Sequence, residues 1–280
     1  MKAEVYRTEH SRDILLDFYD GVAGTWSFPH ESAMVQTRHG ETHVITAGDK
    51  SKPALVLLHG AAANILGWGA AIPEYMRDFF VIAPDIPGEA GRSAPERPSW
   101  NGDEYIEWLD DVLAAFRVER TALLGFSLGG WIAARYAAAH PRKVCRLVLL
   151  APGGIAPMRT AALLKTMLFS MQRQKGAARM KRMVFGRGEI LPEVSRFFDL
   201  LQQHYVPRIG SPPLLSDEQM KRIACPVLMM TGGEDAFFNA QKAGARLKRM
   251  LPGSEVHIEI SGEHGITEYG GRIAFFLAVT

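Results

Sequence analysis

Cysteine is scarce in this sequence: Cys145 and Cys225 are the only two among 280 residues. Each sits beside an apolar, strand-like run, which reads as a buried free thiol and excludes a disulfide-stapled scaffold. No cysteine or histidine spacing suits zinc. Net charge is small as well, +2, too little to argue for nucleic acid or a strongly anionic partner. Long apolar runs are missing. The most apolar region is interrupted by Gly129, Gly130 and Arg135, so no membrane span is expected. Residues 1–20 are charged and lack the apolar centre of a signal peptide. There is no internal repeat and no low-complexity tract. What remains is a cytoplasmic enzyme as the default expectation, with no indication of oligomeric state.

What is present is a rhythm. After a lead-in helix near Ile14–Tyr19 and a hairpin at Met34–Arg38 and Thr42–Thr46, apolar strand-like runs fall at Ala54–Leu58, Phe79–Ala83, Ala122–Phe126, Cys145–Leu150, Pro226–Met230 and Val256–Ile260. Between them lie helical patterns at Leu66–Arg77 (with Pro73 as a flaw), Asp103–Phe116, Trp131–Ala139 and Ala240–Met250, and a last helix runs to Thr280. Strands alternating with helices predict an α/β fold with a mostly parallel central sheet and helices on both faces. The rhythm fails between about 155 and 222, a stretch rich in Met, Leu, Arg and Lys. Twelve Lys and Arg stand against five Asp and Glu over residues 154–222, a local excess of +7. This reads as a helical insertion after the sixth strand.

The stretch Gly125-Phe126-Ser127-Leu128-Gly129 joins an apolar strand to an Ala-rich helix. A turn this tight leaves no room for a Cβ at Gly125 or Gly129 and strains the backbone at Ser127. It lifts the serine hydroxyl above the sheet edge, near a helix N-terminus whose N–H groups favour an anion. Ser127 is therefore the candidate nucleophile.

The chain resembles the α/β-hydrolase superfamily over nearly its whole length. The matching stretches are Leu57-Leu58-His59-Gly60, Ala83-Pro84-Asp85 with Gly88 and Ser93, the turn around Ser127, Gly232-Gly233-Glu234-Asp235, and Gly262-Glu263-His264. The resemblance implies His264 as general base and Asp235, favoured over Glu234, as the acid that orients it. It implies backbone N–H groups of Leu128 and Ala61 as oxyanion donors, with Ala62 an alternative, and a structural role for His59. Trp68 matches a position beneath that loop and is a pocket candidate, although packing is the simpler role. One departure stands out. Gly88-Glu89-Ala90-Gly91-Arg92-Ser93 carries one residue more than the family's usual loop.

The insertion resembles a cap, giving a core of residues 1–153 and 224–280 and a cap of 154–223. Leu164, Met167, Leu168 and Met171 recur there at helical spacing. They are expected to pack the cap onto the core, with lining of an apolar substrate pocket as the functional alternative. The resemblance implies a serine hydrolase of the carboxylesterase kind. It would act through an acyl-enzyme on a small or medium apolar ester, without metal or organic cofactor. The alternatives are hydrolysis of a C–C bond in a ring-cleavage diketone, or a ligand-binding protein without turnover.

Overall fold

The computed structural model describes residues 5–265 and 270–278. Its eight strands are β1 (Glu31–Thr37), β2 (Gly40–Ala47), β3 (Ala54–Leu58), β4 (Phe80–Pro84), β5 (Thr121–Phe126), β6 (Val144–Leu150), β7 (Val227–Gly232) and β8 (Glu255–Glu259). They form one sheet in the order β1-β2-β4-β3-β5-β6-β7-β8. The β1–β2 and β2–β4 pairs are antiparallel, and every later pair is parallel. Every residue of β3, β4 and β7 is buried, as expected of strands covered on both faces. Register follows from that burial. Leu55, Leu57 and Leu58 are fully enclosed, each worth about 1.5–3 kcal/mol, and a one-residue slip would send each to the opposite face.

The helices are α1 (Glu9–Ala23), α2 (Ile72–Tyr75), α3 (Glu104–Ala115), α4 (Leu128–Ala139), α5 (Thr160–Ser170), α6 (Arg173–Phe185), α7 (Pro192–His204), α8 (Asp217–Lys221), α9 (Ala240–Met250) and α10 (Gly270–Ala278). One apolar layer holds α3, α4 and α9 against the sheet, and the other holds Ile65, Trp68, Ile72, Tyr75 and α10. α4 is buried almost all round, with only Arg135 and Ala139 outside, which its Ala and Gly content allows by letting backbones approach closely.

Two sequence expectations need correction. The lead-in helix is longer than its apolar centre because Thr8 caps it, accepting from the Ser11 N–H. The helix expected over Leu66–Arg77 is instead a 3₁₀ turn, Ile65–Trp68, followed by the single turn of α2. Pro73 explains the split. It cannot donate to a preceding turn, so it sits in the first turn of a new helix.

Between β6 and β7 the described residues form no strand, apart from a single bridge between Tyr6 and Tyr205. α7 rests on α1, with the Phe18 and Phe197 rings stacked at 5.9 Å, and Lys181 ties α6 to Asp199 of α7. Leu215, Met220 and Ile223, around α8, are part of the main apolar layer. On α5 only Ala162 is buried. Leu164, Met167, Leu168 and Met171 are 62%, 51%, 51% and 76% exposed. The expectation that they pack the insertion onto the core fails: their shared helical face looks into solvent.

Candidate active site

The sheet order reverses direction at β3, which has β4 on one side and β5 on the other. A crevice opens at the carboxyl ends of such strands, and two site segments begin there. Ser127 follows β5, and Gly60–Ala61 follow β3. Ser127 has φ 52° and ψ −107°, a region that non-glycine residues occupy only when the surroundings over-determine it. They do so here. The Ser127 N–H donates to Leu150 O at 2.9 Å, and its carbonyl accepts from Trp131 and Gly153. A Cβ at Gly125 would run into the Gly129 backbone, and one at Gly129 into the carbonyls of Leu58 and His59. The two glycines thus let the turn press against the end of β3.

His264 Nε2 lies 3.2 Å from Ser127 Oγ, and His264 Nδ1 lies 2.8 Å from Asp235 Oδ2. The structure brings these three residues together from positions 137 and 29 residues apart along the chain. Asp235 is 1% exposed, and its other oxygen, Oδ1, accepts from the Phe237 and Phe238 N–H groups at 2.7 and 3.0 Å. Those bonds hold the carboxylate plane so that Oδ2 faces the imidazole. The His264 ring is caged by Phe126, Phe237 and Phe238, with centroids at 5.1, 4.6 and 5.8 Å. The Glu234 backbone N–H donates to Gly262 O at 2.9 Å, while the carboxylate hydrogen-bonded to His264 is that of Asp235. A Cβ at Gly232 would strike the backbone of Gly262 and Glu263, so glycine there lets the Asp235 and His264 loops touch.

The candidate oxyanion donors are peptide groups. Leu128 is the first residue of α4, so its N–H precedes the first intrahelical bond and is left for another acceptor. A Cβ on Gly60 would sit 2.9 Å from the Phe126 ring and 3.5 Å from Ser127 Cβ, which puts the Gly60–Ala61 peptide beside Ser127. His59 fixes that peptide. Its Nε2 accepts from the Ile86 N–H at 2.9 Å, leaving Nδ1 as donor to Gly60 O at 2.8 Å. In a trans peptide the carbonyl and the following N–H point opposite ways, so pulling Gly60 O toward His59 turns the Ala61 N–H away from it. Burial holds the His59 imidazole below its usual range, against the pull of Asp85, which suits a neutral ring with both nitrogens committed. Ala62 is different. Its N–H already donates to Glu89 Oε2 at 2.6 Å, so Ala61 is the free donor of the two.

Other motif residues shape the loops. Asp85 is wholly buried and accepts from the Ile65 and Arg92 N–H groups, with His43 Nδ1 at 3.1 Å. Burial pushes its carboxyl up, but the His43 bond, the nearby His59 and the Arg92 N–H outweigh that and hold it low. Trp68 is 9% exposed and packs in the apolar layer with Ile65 and Ile72. The four α5 residues lie on the solvent face described above. Sequence reading missed Glu89, the three rings around His264 and the His43–Asp85 pair. The extra residue in the Asp85–Ser93 loop was the one signal that pointed toward Glu89.

Comparison with known proteins agrees with this architecture. Residues 53–188 match the family model described as alpha/beta hydrolase fold. Over 260 residues, 88% of this chain and 86% of the relative, the sequence is 27% identical to carboxylesterase YbfK of Bacillus subtilis (strain 168). The crystal structure of carboxylesterase CesB (YbfK) from Bacillus subtilis superposes with a TM-score of 0.86 at 26% identity, covering 96% of this chain and 99% of that one. Naproxen esterase (carboxylesterase NP) from Bacillus subtilis superposes with a TM-score of 0.87 at 22% identity, covering 97% and 99%. At that identity the second likeness speaks for the fold. No helix among the described residues is long and apolar enough to cross a membrane.

Proposed function

This chain is an α/β-hydrolase, and from that premise we propose that it hydrolyses carboxylic esters through an acyl-enzyme formed on Ser127. The observation that carries the proposal is the continuous line from Ser127 Oγ through His264 to Asp235, at 3.2 and 2.8 Å, on a serine held in a strained backbone. A serine hydroxyl needs a base within hydrogen-bond reach to attack a carbonyl. In the proposed cycle His264 Nε2 takes the proton as Oγ bonds to the acyl carbon. Asp235 stabilises the imidazolium. The tetrahedral oxyanion lies on the N–H groups of Leu128 and Ala61. Collapse expels the alcohol, which receives the proton from His264. A water then repeats the sequence on the acyl-enzyme and releases the acid. Beyond substrate and water, every group in this proposed cycle belongs to the chain, so the cycle calls on no cofactor.

The similarity to carboxylesterase YbfK over most of both chains supports an ester as substrate. Residues 154–223 serve in this reading as a cap, moored beside the site loops where the Gly265 N–H donates to Val184 O and the Arg159 N–H to Phe237 O. The two cysteines remain unpaired, which motivates the cytoplasmic setting included in the proposal.

Labelling with a fluorophosphonate tests the nucleophile, and p-nitrophenyl acetate, butyrate and octanoate test the reaction. The expected result is a single label on Ser127 and turnover of at least one ester. A label at another serine overturns the assignment. Turnover of a vinylogous diketone acid far above any ester would replace ester hydrolysis by C–C hydrolysis.

A further inference from the structure

Glu89 is 3% exposed and takes no part in the cycle above, yet it binds the N–H of Ala62, the residue next to the proposed oxyanion donor Ala61. Its Oε2 accepts two hydrogen bonds, from the Ala62 N–H at 2.6 Å and from the Tyr205 hydroxyl at 2.8 Å. Ala62 has φ 53°, a left-handed conformation that costs an alanine side chain and needs an outside restraint. Tyr205 closes α7, the last long helix of the insertion, and is itself held. Arg97 lies over its ring at 5.5 Å, donates from Nε to Gly88 O and reaches Val206 O with a second nitrogen. The Val206 N–H donates to Val5 O. One carboxylate oxygen therefore joins the loop beside Ser127 to the far end of the insertion.

We infer that Glu89 is a positioning residue for the oxyanion site: by holding the Ala62 N–H it fixes the peptide that follows Ala61, and it makes that restraint depend on Tyr205 being docked. This deepens the proposed function and rests on it. Ala61 has two flanking peptide planes. His59 pins the one before it through Gly60 O, and Glu89 pins the one after it through the Ala62 N–H. With both planes fixed, the Ala61 N–H has one direction. With the second released, Ala62 can leave its strained conformation and the donor swings with it. The site is spared reorganisation at the moment charge develops only while both restraints hold. The geometry also explains why a carboxylate is tolerated so deep. Burial pushes Glu89 up, while the Ala62 N–H, the Tyr205 hydroxyl, Arg97 and Arg208 pull it back.

The test compares Glu89→Asp, Glu89→Gln and Tyr205→Phe in the full chain. It reads kcat and KM for p-nitrophenyl butyrate per fluorophosphonate-titrated site, and hydrogen exchange in a peptide spanning residues 59–66. Aspartate keeps the charge but withdraws the oxygen by one methylene. Glutamine loses the charge but keeps an acceptor oxygen at the same reach. We expect Glu89→Asp to lower kcat about ten- to a hundredfold with KM within about twofold, part of the loss seen when an oxyanion donor is misaimed or removed. Glu89→Gln should return kcat to within about threefold of the parent chain, and Tyr205→Phe should lower it by about three- to tenfold. Exchange at 59–66 should quicken in Glu89→Asp and recover in Glu89→Gln. Unchanged kcat and exchange in Glu89→Asp, or a Glu89→Gln variant as impaired as Glu89→Asp, would overturn the inference. If the parent chain neither labels nor turns over esters, the ester reading fails, and the exchange measurement still decides whether Glu89 holds the loop.

Discussion

The turn that carries Ser127 and the helix α5 are opposites in how much of their surroundings decides them. Ser127 has its backbone N–H and carbonyl committed, its neighbouring glycines pressed against β3, and its hydroxyl beside a ring caged by three others. α5 keeps one alanine buried and turns Leu164, Met167, Leu168 and Met171 outward. The difference teaches where tolerance lies. A group with many fixed neighbours cannot move without breaking several contacts at once, whereas a side chain in solvent loses little when replaced. In the proposed reaction the first region supplies the chemistry.

The largest expected effect comes from the proposed nucleophile itself. Ser127→Ala should reduce kcat by about 10⁴-fold or more and abolish fluorophosphonate labelling, with little change in melting temperature. A substantial residual turnover would show that the fixed region is scaffold alone. Next is Gly129→Ala, whose new Cβ meets the Leu58 and His59 carbonyls. Backbone cannot yield as a flexible side chain can, so the chain should lose about 3 kcal/mol or more in urea unfolding. By contrast Leu164→Ala and Met171→Ala should stay within about 0.5 kcal/mol of the parent chain. If Gly129→Ala is as mild as Met171→Ala, the contrast between the two regions collapses.

A pH test sharpens the same contrast inside one loop. Glu89 and Asp85 are both enclosed, but Glu89 is raised by burial and Asp85 is held low by its hydrogen bonds. A carboxyl raised on folding binds protons more tightly in the folded chain, so its contribution to stability grows as pH falls through the folded value. The parent chain should therefore gain on Glu89→Gln between pH 8 and about pH 4, where an ordinary glutamate also protonates. Urea midpoints at both pH values check the sign. Asp85→Asn should show the reverse, with the parent chain's advantage lost as pH falls. The smallest effects are expected on α5. Each of the four alanine variants should leave the preference between acetate and octanoate esters within about twofold of the parent chain, since a side chain in solvent loses little when replaced. A preference shifted about tenfold or more would bring α5 into substrate choice.

Much of the sheet was legible in the sequence because buried parallel strands leave apolar runs that no surface loop imitates, as at Ala54–Leu58 and Val227–Met230. The glycines around Ser127 were legible because the turn they permit admits few other residues. The stretch 65–75 was not, since its apolar spacing is that of one helix and only the proline shows where the chain restarts. Nor was Glu89. A charged residue in a turn-rich loop reads as solvated, and its burial depends on Ala62 and Tyr205, 27 and 116 residues away. The outward face of α5 was misread for a related reason. Helical spacing of Leu and Met marks a face, but the absence of anything packed on that face is a property of the whole fold.

Among the many ties between the insertion and its surroundings, three reach the site loops. The Arg159 N–H donates to Phe237 O, the Gly265 N–H to Val184 O, and Tyr205 reaches Glu89. All three lie outside residues 163–171, which are held instead within the insertion, where Gln202 Nε2 donates to the Phe169 and Ser170 carbonyls. Those ties use backbone oxygens. The exposed side chains of the stretch are consequently free to drift, and a lineage or an engineer can rewrite them without loosening the segments that hold Asp235 and His264.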